Sequence, residues 1–180
     1  MSVTAEDGEA EPALRVWDPV VRGFHWITVG CFTLAWLFQD PRSLHEALGL
    51  TIAAVLAIRV VWGFVGTRHA RFADFVPGPR RFFGYLRDLY AGREARYVGH
   101  NPAGGAMVVA LMSLLALTAG SGWLLTTDAW FGSDAMETFH AVVANTTLGL
   151  VALHLGGVVW ESLRHGENLV KAMITGLKRS

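Results

Sequence analysis

Four of the seven histidines in this chain, His25, His45, His140 and His154, fall within or at the ends of strongly apolar stretches. An ionisable side chain in such a setting is costly and marks a functional site. A single one can be an ordinary hydrogen-bonding core residue, but four need a joint explanation. His140 and His154 are 14 residues apart in one stretch. At about 100° per residue that step falls about 40° short of four turns, so the two rings share a helix face. A rise of 1.5 Å per residue separates them by roughly 21 Å along the axis. One metal ion cannot bridge that distance, so the pair points to two separate imidazole sites. Arg59 follows His45 by the same 14-residue step and shares its face in the same way.

The elements that carry these residues read as four helices over about 20–38, 45–65, 103–125 and 137–160. Each has roughly the 17–25 residues that a membrane-spanning helix needs. The chain is 52% hydrophobic and 17% charged, well below the roughly 25% charge of a soluble globule. So short a chain has too little polar surface to wrap four such helices in water. The expected fold is therefore all-α, an integral membrane four-helix bundle, with 15–180 as one domain. Intrinsic disorder is excluded by the high hydrophobicity. A disulfide framework is excluded because Cys31 is the sole cysteine, and it reads as a small apolar packing residue. Lys and Arg number 15, as do Asp and Glu, which excludes a uniformly basic nucleic-acid binder.

The zero balance hides an uneven distribution. Thirteen of the fifteen cations fall before or in the first turn of the first span, in the 66–102 loop, or in the C-terminal tail. Of the other two, Arg42 lies in the opposite connections and Arg59 within a span. The positive-inside rule then places both termini and the long loop in the cytoplasm. Trp26, Trp62 and Trp160 near one set of span ends, and Trp36, Trp123 and Trp130 near the other, suit the two aromatic belts. Residues 1–14 are acidic and read as a disordered cytoplasmic tail, not a secretory signal.

With that orientation the histidines sort by depth. Span one starts on the cytoplasmic side, so His25 lies level with His154. Span two starts on the periplasmic side, so His45 lies level with His140. A bis-imidazole pair drawn from two helices suits a b-type haem, filling both axial positions of the iron. No C-x-x-C-H occurs, which excludes covalent c-type attachment. Arg59 lies at the depth of the cytoplasmic pair and suits a haem propionate, the alternative being an arginine that snorkels to the interface. Gly104, Gly105, Gly120, Gly122, Gly149, Gly156 and Gly157 mark close approach of helices or of a flat ring. Within the long loop, Pro79 opens a helix bearing Phe82, Phe83, Leu86, Leu89 and Tyr90. The tail Leu169, Val170, Met173, Ile174 and Leu177 shows a similar pattern. Both suit cytoplasmic interfacial helices.

Taken together, Arg22-Gly23-Phe24-His25-Trp26, His45 with Gly49 and Arg59, Gly99-His100-Asn101-Pro102, His140, Ala144-Asn145, His154 and Asn168-Leu169-Val170 carry a family resemblance. The chain resembles the bacterial di-haem b-type cytochromes over about 16–178. These include the cytochrome b subunits of nickel–iron hydrogenases and the gamma subunits of formate dehydrogenases. The resemblance implies a bundle holding two non-covalent b haems in the bacterial inner membrane, with His25 and His154 as ligands of one iron and His45 and His140 of the other. It also implies a quinone near the cytoplasmic haem, close to Asn101 and Gly104. The loop from Ala70-Arg71-Phe72 to Pro79 looks like that of shorter members with c-type cytochrome partners. The expected function is transmembrane electron transfer between such a periplasmic partner and quinone, and a homo-oligomer is compatible with it. One alternative is a superoxide:quinone oxidoreductase. Another, of a different class, is a haem-free transporter or proton path using the histidines. No nucleophile–base pair or phosphate loop points to chemistry at a side chain.

Overall fold

The computed structural model describes residues 13–179. Four helices are long and apolar enough to cross a membrane: α1 (Pro19–Leu37), α2 (Arg42–Val65), α5 (Pro102–Leu124) and α6 (Asp134–His165). Between α2 and α5 the chain forms a 3₁₀ turn (Arg68–Ala70), α3 (Phe72–Phe75) and α4 (Pro79–Tyr90). After α6 come α7 (Leu169–Thr175) and β2 (Leu177–Arg179), which pairs antiparallel with β1 (Ala13–Arg15).

Local chemistry sets the helix ends. Asp18 caps α1 by accepting hydrogen bonds from the Val20 and Val21 amides at 2.8 and 3.0 Å, and Pro19 supplies a favourable first position. Asn101 and Pro102 repeat the device on α5, where the Gly104 amide donates to Asn101 Oδ1 at 2.7 Å. Helix α6 runs on through Glu161, Arg164 and His165, five residues past the expected boundary. It stops at Gly166, whose left-handed backbone (φ 58°) is a conformation that favours glycine.

Packing runs from α1 to α2, from α2 to α5 and from α5 to α6. Ile52 and Leu56 of α2 meet Met112 and Leu115 of α5 in the main apolar seam. At mid-depth, the Thr118 and fully buried Thr147 hydroxyls lie 3.2 Å apart and tie α5 to α6. Large apolar side chains such as Leu37, Phe64, Leu153 and Val159 point outward. That outer surface suits lipid rather than water.

Both chain ends and the long loop meet at one end of the bundle. The Val16 and Trp17 amides donate to the Gly176 carbonyl, Thr67 donates to Asp18, and Arg96 pairs with Glu167. The expected disordered tail over 1–14 lies outside the described residues except for Ala13 and Leu14, which are ordered in β1. The expected helical pattern of the C-terminal tail holds through Ile174, but Leu177 belongs to β2 because Gly176 (φ 83°) ends the helix.

Candidate functional site

At the end of the bundle away from the termini, His45 of α2 and His140 of α6 face each other. Their ring centres are 6.2 Å apart and their planes cross at 77°. Two nitrogen–metal bonds of about 2 Å each plus the inner radii of two imidazoles require roughly 6 Å between axial ring centres. At the observed spacing the two imidazoles could hold one metal ion between them.

Both rings are held by their outer nitrogens. His45 Nδ1–H donates to the Ala35 carbonyl in the last turns of α1, at 3.0 Å. His140 Nδ1 stands 3.0 Å from the Ser121 hydroxyl. That hydroxyl spends its one hydrogen on the Thr118 carbonyl, so it accepts from His140. Both rings thereby keep Nε2 unprotonated and available to a metal. A cavity of about 300 Å³ surrounds the pair, lined by Phe32, Trp36, Gly49, Thr118, Gly122 and Asn145 among others. A Cβ on Gly122 would come within 3.1 Å of His140 Cε1, so this glycine leaves the ring its room.

At the terminus-bearing end, His25 of α1 and His154 of α6 are electrostatic neighbours. His25 Nδ1 is buried and has no hydrogen-bond partner. Arg59 enters the same level from α2 and is only 2% exposed, which excludes snorkelling. Its guanidinium lies over the rings of Phe72 and Phe75, 5.5 and 5.7 Å from their centres, while Nη1 has no partner. The acid whose field reaches it, Asp18, is already held by Trp62 and Thr67 at 3.0 and 2.6 Å. A buried cation with an idle donor fits an incoming carboxylate such as a haem propionate.

The structure sets His45 and His140 ring to ring, and His25 and His154 close enough to feel each other's charge. Asn101 and Gly104 meet each other at the start of α5, in a helix cap, and Asn101 Nδ2 also donates to Glu161 at 2.9 Å.

Two participants, Ser121 and Glu161, were not singled out from the sequence, and His100 was noted there only as part of the Gly99-His100-Asn101-Pro102 motif. His100 packs between Trp17 and Phe75, 4.7 and 4.8 Å from their centres. Burial, reinforced by Arg59, holds His100 neutral with its pKa lowered to about 3. The signal for Glu161 was present in the spacing. His140, Thr147, His154 and Glu161 follow one another at seven-residue steps, which keeps them on one face of α6.

The family model described as prokaryotic cytochrome b561 matches residues 16–176. A protein of Bradyrhizobium diazoefficiens named "Probable Ni/Fe-hydrogenase B-type cytochrome subunit" is 23% identical, over 96% of this chain and 89% of its own length. A Rhizobium leguminosarum bv. viciae protein of the same name is 26% identical, over 96% and 93%. The Escherichia coli (strain K12) "Probable Ni/Fe-hydrogenase 1 B-type cytochrome subunit" is 27% identical, over 91% and 89%. No solved structure matches.

Proposed function

The chain belongs to the prokaryotic cytochrome b561 family, and from that premise we propose that it carries electrons across the bacterial inner membrane through two b-type haems, between a periplasmic redox partner and quinone. Membrane electron transfer and haem b follow from the family. The number of haems, their ligands, the partners and the orientation are our reading.

The observation that carries this reading is the His45–His140 pair, 6.2 Å from ring to ring, with a second pair, His25 and His154, at the other end of the same bundle. When bound, each haem supplies one-electron chemistry at iron, at a potential tuned by its ligands and surroundings. The chain's own residues do the rest. His45 and His140 present Nε2 because Ala35 and Ser121 engage their Nδ1–H groups. Arg59 offers its free guanidinium edge to a propionate. The outward apolar surface shields the path between the two levels.

Thirteen of fifteen cations cluster with both termini and the 66–102 loop, which supports a cytoplasmic position for that end and for α4 and α7. On this reading 15–180 is one cytochrome b domain, and quinone binds at the cytoplasmic end near Asn101 and Gly104. The opposite face carries Asp40, Glu46, Asp128, Asp134 and Glu137 against Arg42. That acidity favours a periplasmic partner with a basic patch, such as a c-type cytochrome, and disfavours superoxide as substrate. The relatives' names favour a second partner, a nickel–iron hydrogenase.

A reduced-minus-oxidised absorption spectrum of the purified protein, with pyridine haemochrome quantitation, tests the reading. Two low-spin b haems per chain are expected. A protein that binds no haem when expressed with an ample supply would instead favour the haem-free transporter.

A further inference from the structure

Beyond the haem ligands, one group of titratable side chains has no assigned role. It lies at the terminus-bearing end, where four segments converge on Glu161 of α6. Glu161 follows His154 by seven residues, so it shares that ligand's face about 10 Å further along the helix. Its Oε1 accepts from Asn101 Nδ2 at 2.9 Å and lies 3.4 Å from His165 Nε2, one turn on. The two side chains are only 17% and 15% exposed. From α4, the buried Tyr85 lies beside Asn101 and within the field of Glu161 and Glu94. Burial, with these two carboxylates, pushes the Tyr85 pKa up to about 12, so the phenol keeps its proton. Glu94 is 1% exposed at its side chain. One of its oxygens binds Arg164 at 2.8 Å, and the other, Oε2, is buried and unpartnered.

Carboxylate, imidazole, phenol and amide thus form a partly buried cluster able to relay protons, about 10 Å along α6 from His154, with His165 Nε2 at ion-pair distance from Glu161 and making no hydrogen bond. A quinone head group needs such a relay. Reducing quinone to quinol takes two electrons and two protons, and the reverse reaction releases them. The electrons would pass one at a time between the head group and a haem held at the His25–His154 level, and through the second haem to the redox partner. The protons must come from or go to a group within hydrogen-bond reach. We infer that Glu161 exchanges those protons with the quinone head group one at a time, that His165 passes them to and from water, and that Asn101 and Tyr85 are positioning residues for the carboxylate. The inference rests on the quinone reading above. The charged and titratable groups facing Glu161 are His165 on its own helix, Tyr85 on α4 and Lys178 on β2. Lys178 is paired with Glu167 at 3.3 Å, and Arg164 is occupied by Glu94, so neither replaces His165 as the outlet.

The test uses the full-length haem-loaded protein, with decylubiquinol and a short-chain menaquinol as probes in stopped-flow measurements of haem reduction. Glu161→Gln keeps an oxygen for Asn101 but carries no proton. It should retain both haems and full reduction by dithionite, yet slow reduction by quinol about tenfold or more and flatten its pH profile. His165→Ala should show the same slowing, with the rate restored by imidazole in the buffer. An infrared reduced-minus-oxidised difference spectrum should show a carboxyl band that is lost in Glu161→Gln. Wild-type rates and pH profile in both variants, with that band retained, would overturn the inference. Should Glu161→Gln lose haem, the imidazole rescue of His165→Ala decides, and its absence overturns the relay. If dithionite reduces the unaltered protein but neither quinol does, the quinone reading itself falls and takes the relay with it.

Discussion

The Ser121 hydroxyl on α5 accepts the Nδ1–H of His140 on α6 at 3.0 Å while donating its own hydrogen to the Thr118 carbonyl. One turn of α5 thereby fixes which nitrogen of His140 can face the cavity. Ser121→Ala removes that restraint. Outer-shell partners of this kind contribute about 10–100-fold in metal affinity. The expected result is weaker retention of the haem at the His45–His140 level, read by titrating haem into the apo-variant, with the other haem unaffected. Equal affinity in variant and parent would mean that packing alone holds the ring.

A single methyl at Gly122 offers a steric counterpart. Its position, 3.1 Å from His140 Cε1, forces the imidazole to shift by a few tenths of an ångström. Gly122→Ala should move the reduction potential and low-temperature spectrum of that haem alone. A spectrum superimposable on the parent's would show that α5 yields instead.

His140→Ala should cost one haem and leave one, because His25 and His154 belong to the other level. Pyridine haemochrome against protein concentration measures this directly. Retention of both haems, or of neither in a folded protein, would contradict the pairing by depth.

Arg59 is buried with an idle Nη1 and two aromatic rings beneath it. If Arg59 pairs with a haem propionate as proposed, Arg59→Gln removes a positive charge beside that haem, which favours the oxidised iron. Its potential should fall by on the order of 60 mV, the equivalent of a tenfold shift for one electron, or the haem should be lost. Redox titration resolves the two haems, and an unchanged pair of potentials would remove the propionate role.

Acid sensitivity should trace in part to Asp18. Burial raises its pKa, but hydrogen bonds from Thr67, Trp62 and the Val21 and Val20 amides outweigh this and hold it below the usual 3.8. A carboxylate held low contributes stability above its unfolded pKa, and that contribution disappears as pH falls through the folded value. Asp18→Ala should cost about 0.5–2 kcal/mol at neutral pH through the lost cap. The deficit should shrink below about pH 4. Thermal melts in detergent at neutral and acidic pH measure it, and a deficit independent of pH would assign the loss to packing alone.

Much of this was legible in the order of residues. Helix length and apolarity foretold α1, α2, α5 and α6 to within a few residues, since a bilayer admits few solutions for backbone hydrogen bonds. The 14-residue step from His140 to His154 and the orientation of successive spans sorted the histidines by depth. The exit of α6 was misjudged because apolarity ends near Trp160 while the helix itself continues to the left-handed Gly166. The strand pairing of Ala13–Arg15 with Leu177–Arg179 was illegible for a related reason: it joins the two ends of the chain through contacts with no local signature. The acceptor for His45 was equally hidden, since Ala35 offers only a backbone carbonyl, which every residue type carries.

The sequence alone determined the class and the number of spans, and it suggested which histidines share a level, because helical periodicity and the polarity of the bilayer act locally along the chain. Only the tertiary structure decided that the His45 and His140 rings stand 6.2 Å apart, that Arg59 is enclosed, and that Glu161 meets Asn101 and His165 near Tyr85. Those facts depend on how helices rotate and pack against one another. That rotation is set by side-chain volumes on separate segments, which no single stretch of sequence contains.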